Sequence, residues 1–557
     1  MTSTPIPASL ARHWRLVGSA VAMSALLAAC GGGGDDAGSP TPPPPPPPPP
    51  PGFTVTLAST KAVVLQGGDI AVAATVTRNP GFDGAVDLTL AGLPAGASAE
   101  AVHVAADAST ATITIHAAGS APHSLPTSVS VVGTSGAITA HQDATVTVRG
   151  GPGSIDTSFA TAGLARTPVG PTDDHAEAMV VQPDGKVVVA GWGNGPLGYA
   201  FELVRLDRDG ALDATFGDGG KVVVAVGNGY DEVHALALQA DGKLLVAGSV
   251  DETPKGKSFA MARFNADGSL DTTFGTAGHV ITSFGSQSDE AFAIAVQPDG
   301  RIVLGGHTYT AERGVDFALA RYLPDGSLDP SFGTGGLVVK PIHELDSRDS
   351  IYALALQPIH GELCIVAAGG EGDFTLHRFH ADGSDDYSFG VGQRPDGEFG
   401  SVIGAARAIT IDAQGHLIVA GHVGHDFALL RLDADGLADE GFGGSGRVIT
   451  KVSATNWDEA QAVVAQADGR VLVAGWSYSG GGSAGDFVLA RYTTTGALDA
   501  AFGNGGFTIT PVAPNGWDDQ SRALVLQADD RVPTVRALSA GSANFGDQDF
   551  VVARYWL

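Results

Sequence analysis

The feature that most constrains this sequence is an internal repeat that fills residues 153–557. The clearest copy runs from residues 268–275 (Gly-Ser-Leu-Asp-Thr-Thr-Phe-Gly) through residues 293–300 to residues 316–322. A repeat of 50 to 60 residues is typical of propellers and solenoids, in which each copy is one supersecondary unit. Its phenylalanine recurs at steps of 57, 58, 58, 57, 53 and 60 residues and marks seven copies: Phe159, Phe216, Phe274, Phe332, Phe389, Phe442 and Phe502.

Each copy contains four stretches that are typical of strands, joined by Asp-Gly turns that suit tight hairpins. In the clearest copy these are residues 280–284, 291–297, 301–305 and 316–322. Four strands per copy make one propeller blade. The repeat region starts with a single strand at residues 163–169, and its last copy lacks a fourth strand, so we expect the first strand to complete the last blade. An open solenoid would need capping units at both ends, which the sequence does not indicate. The sequence therefore predicts a seven-bladed β-propeller.

The repeated segments resemble the delta-60 repeat family of bacterial surface proteins. The resemblance covers residues 153–557 and is carried by the Leu-Asp-x-x-Phe, Asp-Gly and Ala-Arg-Tyr segments, as at residues 270–274, 299–300 and 320–322. It implies a propeller-type fold and does not imply a particular activity.

Residues 53–150 alternate apolar and polar side chains with period two, as at residues 53–57, 70–76 and 86–90. Such alternation predicts half-buried strands, about seven of them here. Together with Gly-Leu-Pro-Ala-Gly at residues 92–96, the pattern resembles bacterial immunoglobulin-like modules. The predicted fold class is thus all-β, with an immunoglobulin-like β-sandwich followed by the propeller.

The first 29 residues are typical of an export signal, with Arg12 and Arg15 ahead of an apolar run that is too short for a permanent membrane span. The run ends in Leu-Ala-Ala-Cys at residues 27–30, which resembles the lipobox of bacterial lipoproteins. The resemblance implies lipidation of Cys30, which becomes the mature N-terminus. Because Gly31 follows rather than the aspartate that retains lipoproteins in the inner membrane, we expect a lipid anchor in the outer membrane, with the protein facing the periplasm or the surface.

Residues 30–52 predict a spacer between this anchor and the first folded domain. They contain flexible glycines and ten consecutive prolines, at residues 42–51. A polyproline II rod of that length rises about 3.1 Å per residue, or roughly 30 Å in all.

The charge balance excludes one class of partner. The chain has 31 basic and 60 acidic residues, a net charge of −29. Nucleic-acid binding needs a Lys/Arg surface to neutralise phosphates, so we expect no nucleic-acid partner. The anticipated partners are the membrane, through the lipid anchor, and a protein or glycan ligand whose identity the sequence does not specify.

Acidic pairs recur just ahead of the first strand of several copies. If that strand is innermost, as in known propellers, the pairs would gather at one mouth of the channel and attract cations or a basic partner. The alternative is a set of solvated turns. The sequence predicts no cofactor. The cations that these carboxylates could attract are a divalent ion, with calcium as the candidate, or a polyamine-like cation. Trp457 and Trp517 stand beside such pairs and favour glycan contact. The predicted mouth residues are Asp231, Glu232, Asp289, Glu290, Asp458, Glu459, Asp518 and Asp519.

A second regularity predicts how the ring closes. In six copies an arginine of the third strand is followed eight residues later by an aspartate, as for Arg321 and Asp329. Alternation places this arginine among packed apolar neighbours, where a charge needs a partner. The seventh arginine, Arg554, has no such aspartate after it. We therefore expect Asp156 to serve Arg554 across the closure.

A search for catalytic groups leaves two hypotheses. The residues Gly-Gly-Ser-Ala-Gly at 481–485 match the letters of a nucleophile elbow but lie in a glycine-rich hairpin without a following helix. No catalytic or metal-binding residues are predicted. The first hypothesis is a binding, structural or adhesive module displayed on the cell envelope. The alternative is a propeller hydrolase or lyase that acts on an extracellular polymer.

Overall fold

The structure of the protein is a computed structural model, and it describes residues 52–195, 198–227, 229–252, 256–285, 288–310, 314–342, 347–370, 374–390, 404–453, 457–478, 485–514, 519–531 and 534–557. The signal segment, Cys30 and nearly all of the spacer lie outside these residues, as do Trp517, Asp518 and most of the Gly-Gly-Ser-Ala-Gly segment. Every regular element that is described is a β-strand, so the all-β prediction is confirmed. Among the described residues no helix has the length and apolar character needed to cross a membrane.

Residues 53–149 form two facing sheets with an apolar core between them. One sheet has the order β1-β3-β7-β5 and the other β2-β9-β8-β4-β6, and all pairs are antiparallel except β2 with β9. Two more strands occur than the seven predicted, because β5 and β6 have only three residues each and are too short to show a period. The strands are β1 (Phe53–Leu57), β2 (Lys61–Leu65), β3 (Asp69–Arg78), β4 (Val86–Ala91), β5 (Ala97–Ala99), β6 (Val102–Val104), β7 (Thr110–Ala117), β8 (Thr127–Ser135) and β9 (Ile138–Arg149).

The repeat region begins with β10 (Leu164–Thr167) and then forms successive antiparallel hairpin sheets. Its strands are β11 (Asp174–Val181), β12 (Val187–Gly195), β13 (Gly198–Leu206), β14 (Lys221–Val224), β15 (Asp231–Leu238), β16 (Leu244–Asp251), β17 (Lys257–Phe264), β18 (His279–Thr282), β19 (Asp289–Val296), β20 (Ile302–Thr310), β21 (Gly314–Tyr322), β22 (Leu337–Lys340), β23 (Ser347–Arg348), β24 (Ile351–Ile359), β25 (Glu362–Gly369), β26 (Thr375–Phe379), β27 (Gly404–Ile411), β28 (Leu417–Val423), β29 (Asp426–Leu432), β30 (Arg447–Thr450), β31 (Asp458–Ala465), β32 (Val471–Tyr478), β33 (Gly485–Tyr492), β34 (Phe507–Thr510), β35 (Gln520–Gln527), β36 (Arg536–Asn544) and β37 (Gln548–Trp556).

The first strand of each sheet is the innermost one. Strands β11, β15, β19, β24, β27, β31 and β35 each contact the next in this order, and β35 contacts β11 again, so these inner strands surround a common axis. Apolar cores lie between consecutive sheets. In one such core Phe201 of one sheet packs in a cluster with Val246 and Phe264 of the next. The sheet of β24, β25 and β26 has three described strands, and the residues that follow it, 391–403, lie outside the described part of the chain.

The repeated arginine, aspartate and phenylalanine form one structural unit in every copy. Each arginine is buried and lies over its phenylalanine ring at 4.3–4.7 Å. Its Nε donates to the aspartate Oδ2 over 2.7–2.9 Å. In several copies the guanidinium also donates to a backbone carbonyl of the next copy, as Arg263 does to Pro324 at 2.7 Å. The unit therefore fixes the geometry within a copy and links it to its neighbour.

The ring closes through β10, which pairs with β37 and completes the sheet β10-β37-β36-β35. The structure brings the predicted closure pair together: Arg554 Nε lies 2.8 Å from Asp156 Oδ2, and neither side chain is exposed. A second buried arginine, Arg536, lies 3.1 Å from the same oxygen and was not anticipated. The Asp156 amide also donates to the Arg554 carbonyl over 2.7 Å. The seam is thus held by backbone pairing and by one carboxylate that serves two cations.

Candidate functional site

The inner strands share a β-bulge at the same position. In every one of them the register with the second strand shifts by one residue, as between Ala291 and Ala293 of β19. A bulge leaves one residue unpaired and turns its side chain in a new direction. The bulged residues, which we call the axial ring, are Glu177, His234, Phe292, Tyr352, Arg407, Gln461 and Arg522.

A glycine in each second strand makes room for the bulge. In β20, a Cβ on Gly306 would stand 1.9 Å from the Glu290 carbonyl oxygen, so only glycine fits there. The same close approach, at 1.8–2.0 Å, occurs in the other six sheets, at Gly191, Gly248, Gly369, Gly421, Gly475 and Gly541. These glycines of the second strands therefore encode the geometry that directs the axial ring.

All members of the axial ring line one cavity of about 310 Å³ on the propeller axis. Their order around the axis follows the order of the inner strands and divides the ring into three arcs. Glu177 and His234 form a polar arc, Phe292 and Tyr352 form an aromatic arc, and the third arc contains two arginines on either side of an amide: Arg407, Gln461 and Arg522.

Contacts between neighbouring members fix the side chains of the ring. The ring centroids of His234 and Phe292 are 4.8 Å apart, and those of Phe292 and Tyr352 are 5.3 Å apart. The Arg407 guanidinium lies 4.2 Å above the Tyr352 ring. Arg522 Nε lies 3.8 Å from Glu177 Oε2, so this ion pair is a loose one. The ring is a connected set of unlike groups rather than a ring of equal charges.

Burial changes the protonation of several groups around the axis. It lowers the pKa of His234 to about 4 despite the opposing charge of Glu290, so this imidazole is neutral at pH 7. Burial also raises the pKa of Glu177, against the influence of Arg522. Burial alone would raise the pKa of Glu459, but its contact with His422 and the charge of Arg407 outweigh this and bring it to about 2.

The predicted acidic mouth needs a correction. Four of its aspartates, Asp231, Asp289, Asp458 and Asp519, are at most 1% exposed and do not line the mouth. Their carboxylates accept hydrogen bonds from backbone amides of the preceding loop: the Val226 amide donates to Asp231 over 2.7 Å, and others donate in the same way to the rest. Alternation sends the aspartate into the sheet interior, where it caps a loop, and sends the residue after it towards the axis.

The predicted glutamates do lie beside the axis, but basic groups accompany them. Lys257 Nζ is 2.8 Å from Glu232 Oε2 and 3.2 Å from Glu290 Oε2. Arg407 Nε is 2.9 Å from Glu459 Oε1. The mouth is therefore a set of paired charges, and not the unpaired acidic surface that the sequence indicated.

Among the described residues, two groups of side chains have the composition of a metal site. Ligand atoms of Glu232, His234 and Glu290 lie within 4.8 Å of one another, and so do those of Glu362, Cys364 and His380. In the first group Lys257 already supplies a cation between the two carboxylates. In the second, burial raises the pKa of the Cys364 thiol, which disfavours the thiolate that a metal would need.

Two clusters of exposed and half-buried aromatic side chains border the mouth, which we define as the face where the inner strands begin. His175 stacks on Trp192 at 4.0 Å, and Trp192, Tyr199 and Tyr230 follow one another at 4.8 and 5.2 Å. Tyr230 is 56% exposed. Elsewhere on the mouth Trp457, which is 41% exposed, packs on His425 at 4.5 Å. Flat apolar surfaces thus border the opening of the axial cavity.

The axial ring was missed in the sequence because a bulge interrupts the period-two pattern. A signal was nevertheless present. When the copies are aligned, the ring position is followed in every copy by alanine, as in Glu177-Ala178 and Arg522-Ala523, and in six of the seven copies it falls three residues after an aspartate. This position varies from glutamate to phenylalanine to arginine, although the residues around it recur from copy to copy. Such variation indicates that the repeat does not need a particular side chain there to fold.

A match to a family model supports the propeller-type repeat. Residues 182–216, 239–274, 297–332 and 466–502 match the family described as domain of unknown function (DUF5122) beta-propeller. Sqt1 from Chaetomium thermophilum is 13% identical, with 68% of this chain and 82% of that chain covered and a TM-score of 0.37. A DUF4784 family protein from Bacteroides caccae ATCC 43185 is 12% identical, with 82% and 98% covered and a TM-score of 0.21. No curated protein matches the sequence.

Proposed function

We propose that this chain is a lipid-anchored cell-envelope protein whose repeats form a seven-bladed propeller that binds a ligand at the axial ring. An immunoglobulin-like sandwich, residues 53–150, would connect the propeller to a spacer and to lipidated Cys30. The observation that carries the proposal is the contrast between frame and ring. Arginine, aspartate and phenylalanine recur in the structural unit of every copy, whereas the ring positions differ and converge on one cavity.

The cavity has the properties of a small-molecule site. Such sites are concave, have apolar walls and carry a few convergent polar groups. Here Phe292 and Tyr352 supply the apolar wall, and Glu177, Gln461 and Arg522 supply polar groups that face the same space. Side chains that served only to stabilise the ring would be expected to repeat, because every inner strand has the same neighbours.

The sandwich contacts the propeller on the face opposite the mouth. Arg149 Nη1 donates to the Leu557 carbonyl over 3.1 Å, and Lys61 Nζ donates to the Asp530 carbonyl. Both acceptors lie at the ends of strands or turns on the face opposite the mouth. The mouth, with the exposed Trp457 and Tyr230, is thus on the face that these contacts do not occupy, as a binding surface would need.

Ligand binding is tested with residues 31–557 as a soluble protein, against a panel of bacterial and host polysaccharides and oligosaccharides. We expect saturable binding that Phe292→Ala weakens, because this side chain forms part of the cavity wall. Tyr387→Ala is the matched control, since this tyrosine is 79% exposed and precedes the repeat phenylalanine Phe389, on the face opposite the mouth. Equal binding by both variants would show that the axial ring is not the site. Turnover of a polymer in the same experiment would favour the enzyme alternative.

Lipid anchoring is a separate prediction. Metabolic labelling with a fatty acid should mark the full-length protein in its bacterial host, and Cys30→Ala should abolish the label because the lipobox then has no thiol for diacylglyceryl transfer. Cys364→Ala is the control, since this buried cysteine should not affect the label. Equal label in wild type and Cys30→Ala would contradict the anchor.

A further inference from the structure

In the third arc of the axial ring, one arginine lies on each side of an amide side chain. Arg407, Gln461 and Arg522 belong to consecutive inner strands and line the same cavity. Across the axis from Gln461, the ring order places His234 and Phe292. One side of the cavity is therefore rich in N–H donors, and the opposite side offers flat rings without a positive charge.

Donors of this arc exceed the acceptors that the protein provides. Arg522 Nη2 donates to Gln520 Oε1 over 2.7 Å, but its Nε is 3.8 Å from Glu177, beyond hydrogen-bond range. Within the described part of the chain no hydrogen-bond partner is found for the Gln461 amide. Each guanidinium carries five N–H groups and no acceptor. Arg407 Nε donates to Glu459, but other N–H groups of the three residues that line this side of the cavity remain available to a ligand.

The nearby acids do not compensate for these donors. Glu232 and Glu290 are engaged by Lys257, and Glu459 is engaged by Arg407. Glu177 is the one acid in the ring itself, and burial raises its pKa, which weakens it as a counter-ion for Arg522. An anion that entered the cavity would meet the guanidinium of Arg522, which Glu177 pairs only loosely at 3.8 Å.

We infer that the axial cavity binds a carboxylate-bearing sugar, with the carboxylate on the Arg407–Gln461–Arg522 arc and the sugar ring against Phe292 and Tyr352. The inference rests on the proposed function and specifies its ligand class. Planar guanidinium groups match a carboxylate with paired N–H donors. A volume of about 310 Å³ lies at the lower end of the range for small-molecule sites and suits a single sugar unit. The aromatic residues around the mouth would contact further units.

The test compares D-glucuronate with D-glucose, which differ in the carboxylate at C6, by calorimetry on residues 31–557. We expect saturable binding of glucuronate and at least tenfold weaker binding of glucose. Arg522→Gln should weaken glucuronate binding by about tenfold or more, the usual loss for a hydrogen bond to a charged group. Arg470→Gln is the matched control, because this arginine is 43% exposed, pairs with Asp468 and lies on the opposite face. It should leave binding unchanged.

A second variant and a second ligand complete the test. Gln461→Ala removes an unpartnered neutral amide and should weaken binding even if Arg522→Gln fails to fold, which thermal unfolding would reveal. An oligosaccharide that ends in glucuronate distinguishes a polymer end from the free acid: binding of the oligosaccharide alone assigns the site to polymer ends, and binding of both shows that one unit is sufficient.

Failure of the inference differs from failure of the proposed function. Equal binding of glucose and glucuronate, both weakened by Phe292→Ala, would overturn the carboxylate assignment and leave the axial ring as a binding site. Absence of glucuronate binding, with a neutral glycan from the polysaccharide panel bound at the ring, would have the same meaning. If neither the polysaccharide panel nor the two sugars show any binding, the carboxylate assignment and the proposed function are both overturned.

Discussion

Replacement of Asp156 by asparagine should lower the free energy of unfolding of the propeller by about 3–5 kcal/mol, the usual cost of removing one partner from a buried ion pair. The Asp156 carboxylate is fully buried and lies 2.8 Å from Arg554 and 3.1 Å from Arg536, which are also fully buried. Its loss leaves Arg554 without its ionic partner. Arg536 retains Asp529 at 3.0 Å. The measurement is urea unfolding followed by tryptophan fluorescence, for which Trp556 is a local probe because it packs under Arg536 at 4.6 Å.

Asp439→Asn is the matched control, because it changes the same residue of the repeat unit in an internal copy. Asp439 is 22% exposed, and Arg431 is its close basic partner at 2.7 Å. We expect a cost of about 1–2 kcal/mol there, in the range of a single hydrogen bond to a charged group. Equal costs for the two variants would show that the seam is no more sensitive than any other junction in the ring.

Glu202→Gln should make the protein more stable at alkaline pH. Glu202 is fully buried on β13, and a Cβ on Gly193 would meet both its carboxylate, at 2.6 Å, and that of Asp174, at 2.7 Å, so the two acids are close neighbours. Burial, and then the neighbouring Asp174, raise the pKa of Glu202 to about 9. The folded protein thus keeps a proton that the unfolded chain releases near pH 4.5. The contribution of this group to the free energy of unfolding is fully present below pH 4.5 and falls as the pH rises towards 9.

The expected wild-type loss between pH 5 and pH 9 is roughly 2–5 kcal/mol, from about 1.4 kcal/mol for each unit of a pKa difference in a buried group. Glutamine keeps the shape and carries no titrating proton, so Glu202→Gln should flatten the pH dependence and exceed wild type in urea midpoint at pH 9. Glu100→Gln, at an exposed position of the sandwich, is the control and should follow the wild-type curve. A Glu202→Gln variant with the wild-type slope would show that this carboxyl is ionised in the folded state.

Local patterns in the sequence were sufficient to predict the strands and the arginine–aspartate pair within each copy. The all-β class follows from period-two alternation, and the propeller-type repeat follows from the recurrence of phenylalanine and Asp-Gly turns. The spacing of eight residues between Arg321 and Asp329 is a local relation, because the strand and the turn after it return the chain to the same place. Physical rules about strands and buried charges apply to such short segments directly.

The aspartates of the acidic pairs show where local patterns were insufficient. In the sequence Asp289 and Glu290 look alike, as two charged residues before a strand. The structure separates them: Asp289 is buried and accepts a hydrogen bond from the Phe284 amide over 2.8 Å, whereas Glu290 lies beside Lys257. Which carboxylate is solvated depends on the fold of the preceding loop, and side-chain type does not encode that.

The axial ring was decided by tertiary structure alone. Its members are separated by more than 50 residues along the chain, and only closure of the inner strands around one axis brings Glu177 next to Arg522. The bulge that turns them inward depends on a carbonyl in one strand meeting a glycine in the next, a contact across the sheet. Sequence determined the repeated frame because each copy makes it from its own residues, and the tertiary structure determined the site because the site takes one residue from every copy.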